Sequence, residues 1–433
     1  MKHLRPSDLR GVAQLATQAT KGVATLAEGV HQAVWGTVGV PGAARHNSES
    51  SATATAQTRG VTGFVYRAVH GVTALVGHGL AAGLAKLEPV LESLVDAPPE
   101  TPEREAVLAA LNGVVGDRLV ASNNPLATPM TLRHQHQALV WGTPTAHATL
   151  AAATPKVLVL VHGLCMNDLQ WHTQVNGSAP VDHGEALAQA LGYTPVYVRY
   201  NTGLHTSENG AALAHQLAQL VQHWPVPVQE LSIVAHSMGG LVTRSAVHWA
   251  QTAAKATASA GTASHAPWLA AIKSIVFLGT PHHGAPLERA GNWVDVVLGG
   301  MPLVSPFTRP FAKLGQLRSA GITDLRFGNV CEADWLGVER FKRQPDKRAL
   351  VPLPEGIACF TVAATVAAAR SPLVERLVGD GLVPLDSALG QHSQPQRSLV
   401  FAKTSQWVAY RMNHMELLSS AKVTHKLVEW LGR

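Results

Sequence analysis

The sequence predicts an α/β fold, a mainly parallel sheet with helices on both faces. Two observations carry the prediction. Short runs such as Lys156-Val157-Leu158-Val159-Leu160-Val161 are too apolar for half-exposed strands, and they alternate with stretches of helical periodicity. The composition agrees: 46% of the 433 residues are hydrophobic and only 14% are charged. That balance supports a large core and excludes a disordered chain or a coiled coil.

Taken in order, the first element is an N-terminal amphipathic helical hairpin over residues 1–97. Val12, Leu15, Ala19, Val23, Leu26, Val30 and Val34 recur every three or four positions, and a second stripe runs from Val61 to Leu91. Ala97-Pro98-Pro99-Glu100-Thr101-Pro102 marks a boundary, because proline continues neither a helix nor a strand ladder. A second unit covers 103–433. Its expected strands are 156–161, 195–200, 231–235, 275–278, 357–362 and 399–401, and an antiparallel pair at 117–120 and 137–141 would edge the sheet. Helical patterns fit 184–191, 210–222, 238–256 and 415–431.

Cys165, Cys331 and Cys359 lie far apart, which argues against a disulfide scaffold and a Cys-x-x-Cys metal site; neither metal nor cofactor is expected. The net charge of +6 is scattered without an aromatic-basic stripe, so nucleic acid is not an expected partner. The most apolar stretch free of acidic and basic residues, 68–85, is borderline for a membrane span and is broken by His70, His78 and glycines. The first residues do not read as a secretory signal. A cytoplasmic chain is expected, with peripheral membrane attachment through the N-terminal helices as a further expectation.

The chemistry gathers at the ends of the apolar runs. Ala235-His236-Ser237-Met238-Gly239-Gly240 follows one strand and opens a helix. It reads as a G-x-S-x-G turn with alanine first, whose sharp bend exposes the serine hydroxyl as a nucleophile. A serine needs a base, an orienting acid and donors for the oxyanion. Among the histidines downstream, His392 lies in a polar loop and His425 inside the last helix, whereas His414 follows the last expected strand and opens that helix. Asp380, between Gly379 and Gly381, is the expected acid, with Asp386 as the alternative. The turn His162-Gly163-Leu164 after the 156–161 strand offers the Leu164 amide, which together with the Met238 amide would form an oxyanion hole. His162, Cys165, His236, His282 and Phe307 are the expected substrate-contacting residues.

These motifs, with Thr280-Pro281-His282-His283-Gly284 and Asn413-His414, resemble those of the α/β-hydrolase superfamily, and within it the bacterial lipases and the GPI inositol-deacylase-like esterases. The resemblance spans roughly 117–433 and does not reach the N-terminal helices. It implies an α/β-hydrolase fold and hydrolysis of carboxylic esters or lipids through an acyl-enzyme: Ser237 attacks, His414 relays the proton and Asp380 orients His414. A lid or cap insertion is expected over 285–350, where Trp293, Phe307 and Phe311 alternate with Pro302, Pro306 and Pro310. Two other readings stay open: a thioesterase or acyltransferase using the same triad, and a non-catalytic scaffold that docks a membrane or partner.

Overall fold

The computed structural model describes residues 7–8, 10–15, 17, 100–172, 181–259, 266–285, 318–338, 346–368 and 379–433. It divides into two compact units, Met1–Arg104 with Ser122–Leu126, and Glu105–Ala121 with Ala127–Arg433. In the first, the Arg104 guanidinium clasps Asp8 through Nε and Nη2 at 2.8 and 2.7 Å, and the Asn124 side chain donates to the Gly11 carbonyl. Most of the expected hairpin over 1–97 lies outside the described residues. Among the described residues no helix is long and apolar enough to cross a membrane.

The second unit is built on one eight-stranded sheet: β1 (Thr131–His134), β2 (Gln137–Ala138), β3 (Lys156–Val161), β4 (Thr194–Arg199), β5 (Glu230–His236), β6 (Ile272–Leu278), β7 (Ala358–Thr365) and β8 (Gln406–Tyr410). The spatial order is β2-β1-β4-β3-β5-β6-β7-β8. Strands β3 to β8 pair in parallel, and β1 is antiparallel to both β2 and β4. This is the α/β-hydrolase fold.

Alternation along the strands explains why they are apolar throughout. Leu158, Leu160, Val234, Val276 and Leu278 face one core, with Leu187 from the helix His183–Leu191 and Leu427 and Trp430 from the helix Ala421–Leu431. Val157, Val159, Val161, Ile233, Ala235 and Phe277 face the other. There they meet Leu213 and Leu217 of the helix Thr206–His223, and Val242 and Ala246 of the helix Met238–Ser259. A strand covered on both sides has no position that favours a polar residue.

Four expectations are corrected. Residues 117–120 are not a strand but end the helix Pro102–Ala121, which bends at Val115 (φ −133°); the Asp117 carboxylate accepts the Ala320 amide. The antiparallel edge is β1 with β2, so only the start of 137–141 is extended. The run Leu399-Val400-Phe401 is not the last strand either. Leu399 and Phe401 tuck into the second core, Phe401 edge-on to Phe277 at 6.0 Å, while Val400 is 89% exposed. The last strand is β8, whose mostly half-buried Gln406-Trp407-Val408-Ala409-Tyr410 carries little apolar signal. After it, a 3-10 turn over Met415–Leu418 precedes the final helix, so His414 opens that turn and not the helix.

Within the expected insertion 285–350, residues 286–317, with Trp293 and Phe307, lie outside the described residues. The part from 318 to 338 is pinned. The Ser319 hydroxyl donates to the Gly113 carbonyl at 2.6 Å, and buried Asp324 accepts from the Thr206 amide, His205 Nδ1 and Asn329.

The displaced 399–401 segment gives a direct check. Phe401→Ala should cost about 3 kcal/mol of stability, whereas Val400→Ser should stay within about 0.5 kcal/mol. Urea unfolding of both variants measures the difference, and equal costs would contradict the packing described.

Candidate active site

The sheet register assembles the site. Val161 lies beside Ala235, and His236 beside Leu278, so β3, β5 and β6 all end at one level. Their following turns, His162-Gly163, Ser237 and Gly279, are therefore neighbours. The Ser237 amide donates to the Leu278 carbonyl at 2.8 Å. Ser237 has φ +54°, a left-handed conformation that a non-glycine residue adopts only where its surroundings compel it. What compels it is crowding: a Cβ on Gly239 would fall 2.5 Å from the Val161 carbonyl oxygen, so the helix starts hard against β3. Gly163 packs in the same way, and a Cβ there would lie 3.0 Å from the Ser237 Cβ. The Ser237 hydroxyl is buried and has no hydrogen-bond partner among the described residues.

Asp380 follows β7 and His414 follows β8, the two strands next in order beyond β6. His414 Nδ1 donates to Asp380 Oδ2 at 2.6 Å, and the His414 amide donates to the Asp380 carbonyl at 3.1 Å. The other carboxylate oxygen, Oδ1, accepts the Leu382 and Val383 amides at 3.0 and 2.7 Å. Both side chains are buried. A carboxylate can only accept, so the proton sits on Nδ1 and Nε2 is left as the basic nitrogen. Asp386 lies in the first turn of the short helix Leu385–Ala388; the carboxylate on His414 is that of Asp380.

The pair is brought to the elbow by two contacts. His236 Nε2–H donates to the His414 carbonyl at 3.2 Å, their rings 4.6 Å apart. Gly279 abuts the His414 ring, where a Cβ would lie 3.1 Å from Nδ1.

The residues expected to touch substrate are placed differently from one another. His236 supports the His414 backbone. His162 is fully buried, stacks on Tyr200 at 4.4 Å and donates from Nδ1 to the Gly163 carbonyl. Cys165 sits at φ +58° with its Sγ against Gly113 and the Ala110 carbonyl of the helix Pro102–Ala121; burial pushes its thiol up to about 12, far from a reactive thiolate. His282, expected on the site rim, is instead buried edge-on against Phe277 at 4.9 Å and beside Phe401 at 5.6 Å. Phe307 lies outside the described residues. Leu164 and Met238 are both buried, one beside Gly163 and the other directly after Ser237.

Two sets of supporting residues were not foreseen. Arg199, at the end of β4, is ion-paired with Asp168 and, at 2.7 Å, with Glu105; Asp168 also meets Arg133 at 3.2 Å. This buried network anchors the loop that carries Leu164. His183 donates from Nε2 to the Leu417 carbonyl at 2.9 Å and so steadies the turn after His414. A charge closing the run Val196-Tyr197-Val198-Arg199 was the available signal for the first; nothing in the sequence marks His183.

Burial keeps these histidines neutral. It lowers His162 and His283 to about 4, lowers His183, and holds His236 and His282 well below 6.5. In the unfolded chain each would titrate near 6.5. Unfolding therefore takes up protons between those values, and stability falls as pH falls through that window. Thermal unfolding across the window should show the melting temperature dropping steadily from 6.5 toward 4; a flat profile would contradict the buried neutral state.

Residues 152–304, about a third of the chain, match the family described as "Putative serine esterase (DUF676)". No curated protein sequence matches the chain. Among solved structures, the mature Bacillus licheniformis lipase BlEst2 aligns at 18% identity and TM-score 0.39, covering 70% of this chain and 98% of that one. Lipase 1 from Pelosinus fermentans aligns at 16% identity and TM-score 0.38, covering 64% and 99%. Aspergillus fumigatus lipase B aligns at 10% identity and TM-score 0.38, covering 67% and 58%. Likenesses this distant say nothing about substrate. The family match supports a hydrolase of the ester type. The chain has the α/β-hydrolase fold, and over 152–304 it resembles the serine esterases.

Proposed function

We propose that the protein hydrolyses carboxylic esters through an acyl-enzyme formed on Ser237. The observation that carries this reading is the left-handed Ser237 on a crowded elbow, with the Asp380–His414 pair bonded to its neighbour His236. His414 Nε2 takes the hydroxyl proton as Ser237 Oγ attacks the ester carbonyl carbon. The oxyanion that forms is stabilised by the amides of Leu164 and Met238, with the N-terminal end of the helix Met238–Ser259 behind them. The intermediate collapses, the alkoxide leaves with the proton from His414, and the acyl group stays on Ser237. Water, deprotonated by His414, then attacks the acyl carbon and releases the carboxylic acid. Asp380 holds the Nδ1–H tautomer throughout and stabilises the imidazolium.

A series of p-nitrophenyl esters from acetyl to palmitoyl tests the activity and reports acyl-chain preference. Ser237→Ala should lower kcat on the order of 10³-fold or more and abolish labelling by a fluorophosphonate probe. Equal labelling of wild type and Ser237→Ala would overturn the assignment. Asp380→Asn should fold yet lose orders of magnitude in kcat, because the amide favours the wrong imidazole tautomer; Asp386→Asn should be close to wild type. The reverse ranking would name Asp386 as the acid.

A further inference from the structure

The second unit contains a cavity of about 250 Å³ that none of Ser237, Asp380 and His414 lines. Its buried wall is Arg244, seven residues beyond Ser237 on the elbow helix and so about 10 Å along its axis. Arg244 is 7% exposed. Its Nη2 donates to the Val351 carbonyl, while its Nε–H is buried and meets no acceptor among the described residues. Among the described residues no carboxylate lies within ion-pair distance of it.

The other charged groups at the cavity have nearer partners. Arg348 and Arg397 both pair with Asp346, at 2.8 and 3.6 Å. Asp334 lines the cavity, but its oxygens accept the amides of Val330, Cys331 and Ala349. Among the described residues three guanidinium groups stand against two carboxylates, a surplus of one positive charge: Arg348 and Arg397 share Asp346, and Asp334 offsets Arg244 through space without reaching ion-pair distance. The two histidines at the cavity add none, because burial keeps His282 and His283 neutral. A neutral imidazole still carries one N–H, and both ring nitrogens of His282 lack a partner.

A buried guanidinium with no ion pair at contact distance and an Nε–H left over is costly, and water can solvate it but not neutralise it. The planar fork of arginine matches a carboxylate in a way that a lysine ammonium does not. We propose that this cavity binds a small monocarboxylate, with its oxygens on Arg244 and His282. The single surplus charge selects a monoanion, and the volume admits an acid of a few carbons. The site is separate from the elbow and does not depend on ester hydrolysis.

Thermal unfolding of the full-length protein tests it, with sodium propionate compared with sodium chloride at equal ionic strength and with propionamide, the uncharged analogue. Propionate should raise the melting temperature saturably, and neither control should. Arg244→Met should abolish the propionate shift, read against that variant's own melting temperature in chloride because it also loses the bond to the Val351 carbonyl. Arg244→Lys, which keeps the charge without the fork, should weaken propionate about tenfold and carries the test if Arg244→Met does not fold. The absence of a propionate-specific shift in the wild type would overturn the proposal. So would an undiminished shift in either folded variant, which would put the anion elsewhere, or an equal shift from inorganic phosphate.

Discussion

The hydrogen bond from the Ser237 amide to the Leu278 carbonyl ties the elbow to the neighbouring strand, and the rest of the site is arranged around that tie. Together with the crowding at Gly163 and Gly239 it holds a serine at φ +54°, a conformation that would otherwise relax toward an ordinary turn. The bond can form only because β5 and β6 pair in a register that ends His236 opposite Leu278. That register is held by packing: a one-residue slip would send every side chain of β5 into the opposite core, whose close-packed neighbours are shaped for others. Core packing and site geometry are thus one constraint, expressed at the middle and at the end of the same strands.

How much could be read beforehand follows from where each signal resides. The central strands β3 to β7 were legible because each is apolar on both faces, and the elbow because its small residues answer a steric demand visible in the chain. The edges were not. β8 is half-buried, so its composition is ordinary, whereas Leu399-Val400-Phe401 imitates a strand by sending only its first and third residues inward. The helix Pro102–Ala121 was obscured by Asn112-Gly113-Val114-Val115-Gly116, all poor helix formers; tertiary contacts such as Ser319 to Gly113 and Asp117 to Ala320 hold it. Asp380 and His414 could be placed by chain order, but the Asp168–Arg199–Glu105 network joins residues far apart in sequence and leaves no local pattern.

The interior of this unit is unusually rich in imidazole, and its histidines divide by what they bond. His236 and His183 donate to backbone carbonyls on either side of the base-bearing turn, and His162 donates to the turn that carries Leu164. Each serves as a compact donor that burial keeps uncharged, so that a lone pair and an N–H are available without the cost of an ion. Their common role is to steady loops that lie outside the sheet ladder and have no strand partner to do so.

β8 closes the sheet at one side: β7 pairs with it, and no further strand lies beyond it among the described residues. An outermost strand keeps half its backbone groups out of the ladder and is among the first elements to open in native-state fluctuations. The segment carrying His414 follows directly from that strand, while Ser237 follows from the middle of the sheet. The two therefore sit on elements of unequal local stability. Transient fraying at the margin would separate His414, the proposed base, from Ser237, the proposed nucleophile, while the cores remain packed, so loss of the proposed activity on heating would run ahead of global unfolding, and amide exchange in 406–414 would be faster than in β5.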